Sequence, residues 1–596
     1  MRSVIVAAAV VTLSVGNVRC SVVEGDSFQD AKFTSARQLG RGSCRRRDDA
    51  LDPLRPRKRS TLAYHARKDA AKRELEGASR VCQINNGETD TMTKFHKTLP
   101  HDDLGQACTP VDAAAFDALE QCILSGDYDT CEAVPSGDPS GFLINPIAGF
   151  SIDMVGPASS CVTTPPLPTL DSPELAAQLA ECYWMALARD VPFSQYGVDN
   201  VTTTAAANLA TMPGFLGAFG LAKTSDDSVD PSSQLFRANF IGVETGPMIS
   251  QLLIKDCTLD SITVTPKQTT FVPNVDYMTS YDDWLHIQNG GAPDGPEDVD
   301  PTPRYIRNAR DLARIVATDT IYTEAFRGAL VLLAEGAISG AGFNGPYANS
   351  NRQKGFVNYG GSHVMRALGG MEISQRSSWY QKWQVHLFVR PEALAGTVHN
   401  TLIGALSAPI HESLLENEEL MRRVATANGA QNKNGSETYL LSQAVKVGSP
   451  AHPSYPAGHA VQNGAFATLL KAMVGLERGF ECFSHPVFPD DEGLTLAEYT
   501  GGCLTYEGEI NKLAANVAFG RQMMGVHYRF DSTEGLRLGE TVAVRILHQE
   551  AMSFPEQHPY EFRLFTGEEI KLFSDGTFAI DGEECSGEIY TGVEDC

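Results

Sequence analysis

The chain has 596 residues, with 48 Lys plus Arg against 73 Asp plus Glu, and a formal net charge of −25. That acidic excess argues against the phosphate backbone of a nucleic acid, or an anionic membrane, as a partner. At this length, with 42% hydrophobic residues, one very large core or several can be buried.

In chain order, Met1-Arg2 followed by an apolar run over residues 4–11 has the pattern of a secretory signal peptide. The run is too short to cross a bilayer, and cleavage is expected between about residues 16 and 25, so 1–20 is assigned as leader. No later segment holds about 18 uninterrupted apolar residues, which predicts a soluble mature protein. Sequons at Asn200 and Asn434 fit export. Residues 21–70 carry Arg45-Arg46-Arg47 and Arg55-Pro56-Arg57-Lys58-Arg59, the composition of a solvated arm or a propeptide. From 71 to 596 the pattern is that of a folded domain. Helical stretches such as 173–187 alternate with Pro- and Gly-rich loops up to about residue 200. Residues 306–336 show apolar recurrence at three and four, the mark of buried helices. Further helices are expected at 413–428, 458–475 and 508–525, the last two entering a bundle core. After 558 the pattern alternates between turns and reads as short strands. No repeat of 20 to 50 residues is present. The expected class is mainly α, a helical bundle with short C-terminal strands.

Thirteen cysteines include Cys20, in or beside the leader. The twelve that remain suggest disulfides in an exported chain, and none has metal-ligand spacing.

Four segments carry the chemistry: Lys382 with Arg390, the run from His452 to His459, Arg521 with His527, and Asp531 beyond. A multiply charged oxyanion held away from water needs fixed cations, each worth about 4 kcal/mol at 4 Å in an effective dielectric near 20. Lys382, Arg390 and Arg521 can supply them, the arginines as planar forks and the lysine as a point charge. In Ser454-Tyr455-Pro456-Ala457-Gly458-His459, the glycine lets a backbone amide approach an oxygen, and the histidine can move protons near neutral pH. His527 and Asp531 are four apart, so on a helix they share a face and Asp531 can set the tautomer of His527. Arg521 and His527, six apart, fall about 120° off a common face; either Gly525 breaks the helix or Arg521 reaches round. Eight residues between Lys382 and Arg390 leave them about 80° apart, which requires a local distortion. Singly, each cation reads as a surface charge and His527 with Asp531 as a helix-stabilising pair. Their joint occurrence points to a site.

In this order and spacing the motifs resemble those of the vanadium-dependent haloperoxidases and their acid-phosphatase relatives. The likeness to the brown-algal vanadium bromoperoxidases runs from 71–77 to the C-terminal Tyr590-Thr591-Gly592-Val593-Glu594-Asp595-Cys596. It includes Ser377-Ser378-Trp379-Tyr380-Gln381-Lys382-Trp383-Gln384-Val385-His386 and Glu509-Ile510-Asn511-Lys512-Leu513.

The resemblance implies the haloperoxidase/acid-phosphatase helical-bundle fold and one vanadate per subunit, with vanadium bonded to the ring of His527. Lys382, Arg390, Arg521 and the Gly458 amide would hold the oxygens, with His459 as acid–base residue. His452 would stand at the cavity mouth and favour bromide or iodide over chloride, and Trp379 would shape the channel. The implied reaction is oxidation of halide by hydrogen peroxide to hypohalous acid, which halogenates small organic acceptors. The implied setting is extracellular (cell wall or apoplast), as a homodimer. Pairs implied in the same way are Cys122–Cys131, Cys482–Cys503, Cys585–Cys596 and, between subunits, Cys44 with Cys82; Cys108, Cys161, Cys182 and Cys257 stay open. The chain departs from the family in having Ala457 where a serine donates to a vanadate oxygen, a change costing roughly 1.5 to 3 kcal/mol. Val461 and Leu387 also replace more polar residues. Two rivals follow: a phosphomonoesterase with His527 as nucleophile, and an inactive oxyanion-binding paralogue.

Overall fold

The computed structural model describes residues 91–107, 113–215, 234–338 and 343–585, with positions 64, 65, 67, 68 and 70–72. All of these fall in one unit, residues 54–596. The expected leader, almost all of the basic arm, and Cys20, Cys44, Cys82, Cys108 and Cys596 lie outside the described residues.

Helix α1, Ala113–Ser125, joins Phe95, Leu99, Trp383 and Leu387 in a small core of its own, and Cys122 is bonded to Cys131. Helix α2, Pro173–Leu187, has the bounds expected from the sequence: Ser172 caps it by accepting from the Leu175 amide, and Pro173 sits in the first turn, where its missing N–H costs nothing.

The apolar stretch 306–336 is two helices, α3, Ala309–Thr318, and α4, Thr323–Ala334. Between them Asp319 ends α3 in an extended conformation and Ile321 has φ +62°. No glycine or proline marks that break, so the periodicity alone ran through it.

Helix α5, Ser374–Tyr380, widens into a π-turn over Gln381–His386, closed by Leu387 at φ +46°. The Leu387 amide donates to the Lys382 carbonyl at 2.8 Å. This is the distortion that the Lys382-to-Arg390 spacing called for. Arg390 is then the residue before α6, Pro391–Leu402.

The helix expected at 413–428 is a single turn, Glu412–Leu415, followed by α7, Glu418–Gln431. Helices α8, Gly458–Val474, α9, Tyr506–Met524, and α10, Arg529–Ser553, form the bundle centre, with α8 packed along α10 and across α9. The approach of α8 to α10 is backbone-close. A Cβ on Gly464 would lie 2.2 Å from the Leu536 carbonyl, and one on Gly539 1.9 Å from that of Val461. These glycines bring the two helices together where larger side chains would hold them apart. Strands β1, Tyr560–Arg563, β2, Glu569–Leu572, β3, Phe578–Ile580, and β4, Glu583–Cys585, form an antiparallel meander. Cys482 is bonded to Cys503, while Cys182 and Cys257 are buried thiols. Among the described residues no helix is long and apolar enough to cross a membrane.

Candidate active site

Five local structures deliver the side chains to one point. Lys382 comes from the π-turn and Arg390 from the N-terminal edge of α6. The loop 452–457 leads into the first turn of α8, which carries Gly458 and His459. Arg521 lies in the last turn of α9. Gly525, at φ +102°, ends that helix, a backbone conformation glycine adopts without strain. His527 therefore precedes α10 rather than riding on it, which corrects the expectation of a shared helical face. Its partnership with Asp531 comes from the start of α10. Asp531 Oδ2 accepts from His527 Nδ1 at 2.7 Å and from the Tyr528 amide at 3.1 Å.

That contact settles the ring. With Nδ1–H given to Asp531, Nε2 keeps its lone pair, and Arg390 Nη1 donates to it at 3.0 Å. Ser454 Oγ also donates to Asp531 Oδ2. Burial and the facing cations Arg390 and Lys382 hold His527 well below the ordinary imidazole range, so the ring is neutral. Burial pushes Asp531 up to about 6, against the Ser454 hydrogen bond and the nearby cations.

The three cations are almost wholly withdrawn from water, yet none spends its hydrogen bonds on a carboxylate. Lys382 Nζ donates to the carbonyls of Pro453 and Ser454 at 2.8 and 2.7 Å. Arg390 reaches the carbonyls of His452 and Val526 at 2.8 and 2.9 Å. Arg521 Nη1 donates to the Val316 carbonyl at 2.8 Å, and its buried Nε has no hydrogen-bond partner. Burial lowers Arg390 to about 9 and Arg521 to about 10; Lys382 is lowered by burial first and Arg390 next. Positive charges crowded in low dielectric are unfavourable until an anion joins them. The donor set thus fits a multiply charged oxyanion next to one lone-pair nitrogen. Among the described residues there is no group of three or more His, Cys, Asp or Glu suited to a metal ion.

Helix α8 points its N-terminus into the same space, where unpaired amides and the helix dipole favour negative charge. Ala457 precedes the first turn and supplies no side-chain cap. A Cβ on Gly458 would lie 3.0 Å from both Gln375 Oε1 and the Trp379 ring, so any side chain there must displace one of them. The Trp379 ring lies 5.0 Å from that of His452, tilted by 39°, and Arg390 Nη2 lies 3.0 Å from His452 Nδ1. His452 is 7% exposed and walls the site from the Trp379 side.

His459 Nε2 meets Asp319 Oδ1 at 2.9 Å. Asp319 is the residue that sequence reasoning missed, because it lies 140 positions from His459 in an unmarked helix break. Ser454 was quoted only as part of the loop, and Gln375, whose amide donates to the Gly458 carbonyl at 2.8 Å, carried no signal.

Residues 376–555 match the family model described as the VCPO second helical-bundle domain, which spans Lys382 through α10. The chain is 63% identical over 558 residues to a vanadium-dependent bromoperoxidase of Ascophyllum nodosum, covering 93% of this chain and 100% of the relative. It is 31% identical to the vanadium-dependent bromoperoxidase of Corallina officinalis, over 82% of this chain and 92% of that one. A solved structure, the homohexameric second vanadate-dependent bromoperoxidase of Ascophyllum nodosum, superposes with a TM-score of 0.84 at 38% identity, covering 94% of this chain and 97% of that one. With its site built on one imidazole and three buried cations, and with relatives matched over nearly their full lengths, the chain belongs to the vanadium-dependent bromoperoxidase family.

Proposed function

We propose that the described pocket is where this chain carries out the family reaction, the vanadate-dependent oxidation of bromide or iodide by hydrogen peroxide, yielding hypohalous acid. When bound, vanadate supplies a pentavalent Lewis-acid centre for peroxide and halide. The lone pair of His527 Nε2 would be its direct ligand, oriented by Asp531. Lys382, Arg390, Arg521 and the Gly458 amide would neutralise and orient the oxygens. His459, with Nε2–H turned to Asp319, offers Nδ1 as the proton acceptor and donor during peroxide entry. His452 and Trp379 line the approach of the halide. Released hypohalous acid then halogenates small organic acceptors.

The observation carrying these assignments is that three buried cations donate to backbone carbonyls and, from Arg390, to the rings of His527 and His452, and to no carboxylate, around one imidazole lone pair. The test is a peroxide-dependent assay on vanadate-reconstituted protein with iodide, bromide and chloride, beside His527→Ala and His459→Ala. Loss of turnover in both variants, with vanadate uptake lost only in His527→Ala, is expected. Phosphate-ester turnover without peroxide would instead assign His527 as the nucleophile of a phosphomonoesterase. Vanadate uptake with neither activity would make the chain an inactive oxyanion binder.

We also propose export, for which the N-terminal charge and apolar pattern and the two described disulfides speak. A homodimer tied through Cys44 and Cys82 is the assembly we propose. Light scattering with and without reductant tests it, and the homohexameric neighbour makes six chains the alternative outcome.

A further inference from the structure

Behind His459 lies a carboxyl pair that the reaction as described does not use. Asp319 turns Oδ1 to His459, and its side chain is 2% exposed. Its other oxygen, Oδ2, is buried and receives no hydrogen bond, and the same is true of Glu324 Oε2 in the first turn of α4. The two carboxyl groups are neighbours that act directly on each other. Two buried carboxylates in contact cannot both be ionised, and two oxygens that lack donors are both satisfied by one shared proton.

The neighbours decide which partner holds that proton. Asp319 faces His459 from α8 and Arg521 from α9, and stays below the usual carboxylate range despite burial. Glu324 faces Asp319 and, on its own helix, Arg327. Arg327 is shared with Asp256 and Cys257. Burial, and then the charge on Asp319, push Glu324 up to about 8.

We propose that Glu324 is a positioning residue of the halide-oxidising site, a neutral carboxylic acid that donates to Asp319 Oδ2 and thereby sets how strongly Asp319 holds the proton of His459. With Glu324 protonated, one negative charge is shared between the two carboxyls, and His459 remains neutral with Nδ1 free to accept a proton. Once Glu324 ionises, the second negative charge favours imidazolium at His459, and that ring ceases to be a base. The proton moves between oxygens and nitrogen only, and no oxidant or reductant enters. His459 itself faces Asp319, Arg521 and Lys382, so Glu324 acts on it through Asp319 alone. Helix α4 thus reaches the reaction through the 319–322 break.

The proposal rests on His459 being the proton-moving residue, but its test is read without vanadate or peroxide, so its failure would leave that assignment standing. Infrared spectra of the full-length wild type, of Glu324→Gln and of Glu324→Leu are recorded in D2O across pH 6 to 10, beside the ring shifts of His459 in histidine-labelled protein. The wild type should show a buried carboxylic-acid band that titrates near pH 8 and disappears in Glu324→Gln. The wild-type His459 signals should shift again through that same range. Glu324→Gln, which keeps a neutral donor, should lose this second shift and otherwise retain the wild-type curve. Glu324→Leu, which removes the donor, should raise the His459 midpoint at least threefold in proton affinity. Superimposable His459 curves for all three proteins, or an acid band unchanged in Glu324→Gln, would overturn the proposal. Equal melting temperatures for the Gln and Leu variants separate this effect from a packing defect.

Discussion

The amide of Ala457 donates to the carbonyl of Asp531 at 2.9 Å. Asp531 is thereby tied at both ends of its chemistry: its carboxylate sets the tautomer of His527, and its backbone positions the loop that opens α8. The His527 imidazole and the first turn of α8 are thus held in register by one residue.

Asp531→Asn keeps the shape but loses the charge that holds His527 Nδ1–H. The expected result is a fall of about 10- to 100-fold in vanadate affinity, the scale typical of partners behind a metal ligand. Equilibrium dialysis with vanadate measures it. An unchanged dissociation constant would remove Asp531 from this role.

Ala457→Ser tests two functions of one hydroxyl, which can accept from a helix amide while donating its own proton. As a cap it should stabilise the protein by about 1 kcal/mol in urea unfolding. As a donor to a charged oxygen it should tighten vanadate binding about ten- to a hundred-fold. A gain in stability without a gain in affinity would show the hydroxyl serving the helix alone.

Gly458→Ala places a methyl group 3.0 Å from Gln375 Oε1 and the Trp379 ring. Gln375 can swing aside, but relief from the Trp379 ring requires the amide to back away from the anion, so vanadate affinity should fall about tenfold or more, equivalent to about 1.5 kcal/mol or more. The melting temperature without vanadate should change little, since Gln375 can give way.

His96 is held at about 3 by burial and then by His101. Between that value and the unfolded value of 6.5, the unfolded chain binds a proton that the native one does not, so stability falls as pH drops below 6.5. From pH 6.5 to 4.5, where the slope builds from half its full value at the unfolded midpoint, the change amounts to about 2.3 kcal/mol. His96→Gln should therefore lose about that much less than the wild type between pH 6.5 and 4.5 in urea titrations, and parallel losses would refute the assignment.

The helices were legible where pattern and punctuation agree. Pro173–Leu187 has its serine cap, its first-turn proline and its apolar spacing all in the local sequence. The 306–336 stretch shows buried helices by its apolar spacing but has no punctuation to locate the break that carries Asp319. Lys382 and Arg390 announced a distortion by their spacing, but not its form, because a π-turn closed by Leu387 at positive φ is sustained by the core around it. The His527–Asp531 pair was legible as a pair and misplaced as a helix face, since Gly525 ends α9 before His527.

Residue types and their order along the chain determined the chemistry. Three cations, a glycine before a histidine, and a histidine four residues before an aspartate together point to an oxyanion site with one imidazole. Tertiary structure alone decided which carboxylates enter that site. Asp319 reaches His459, and Glu324 reaches Asp319, because α3 and α4 pack into the bundle of α8 and α9, and Ser454 reaches Asp531 across a loop-to-helix contact. Hydrogen bonds between residues scores to hundreds of positions apart leave no periodic trace, and burial, which sets their charge states, exists only once the helices have closed.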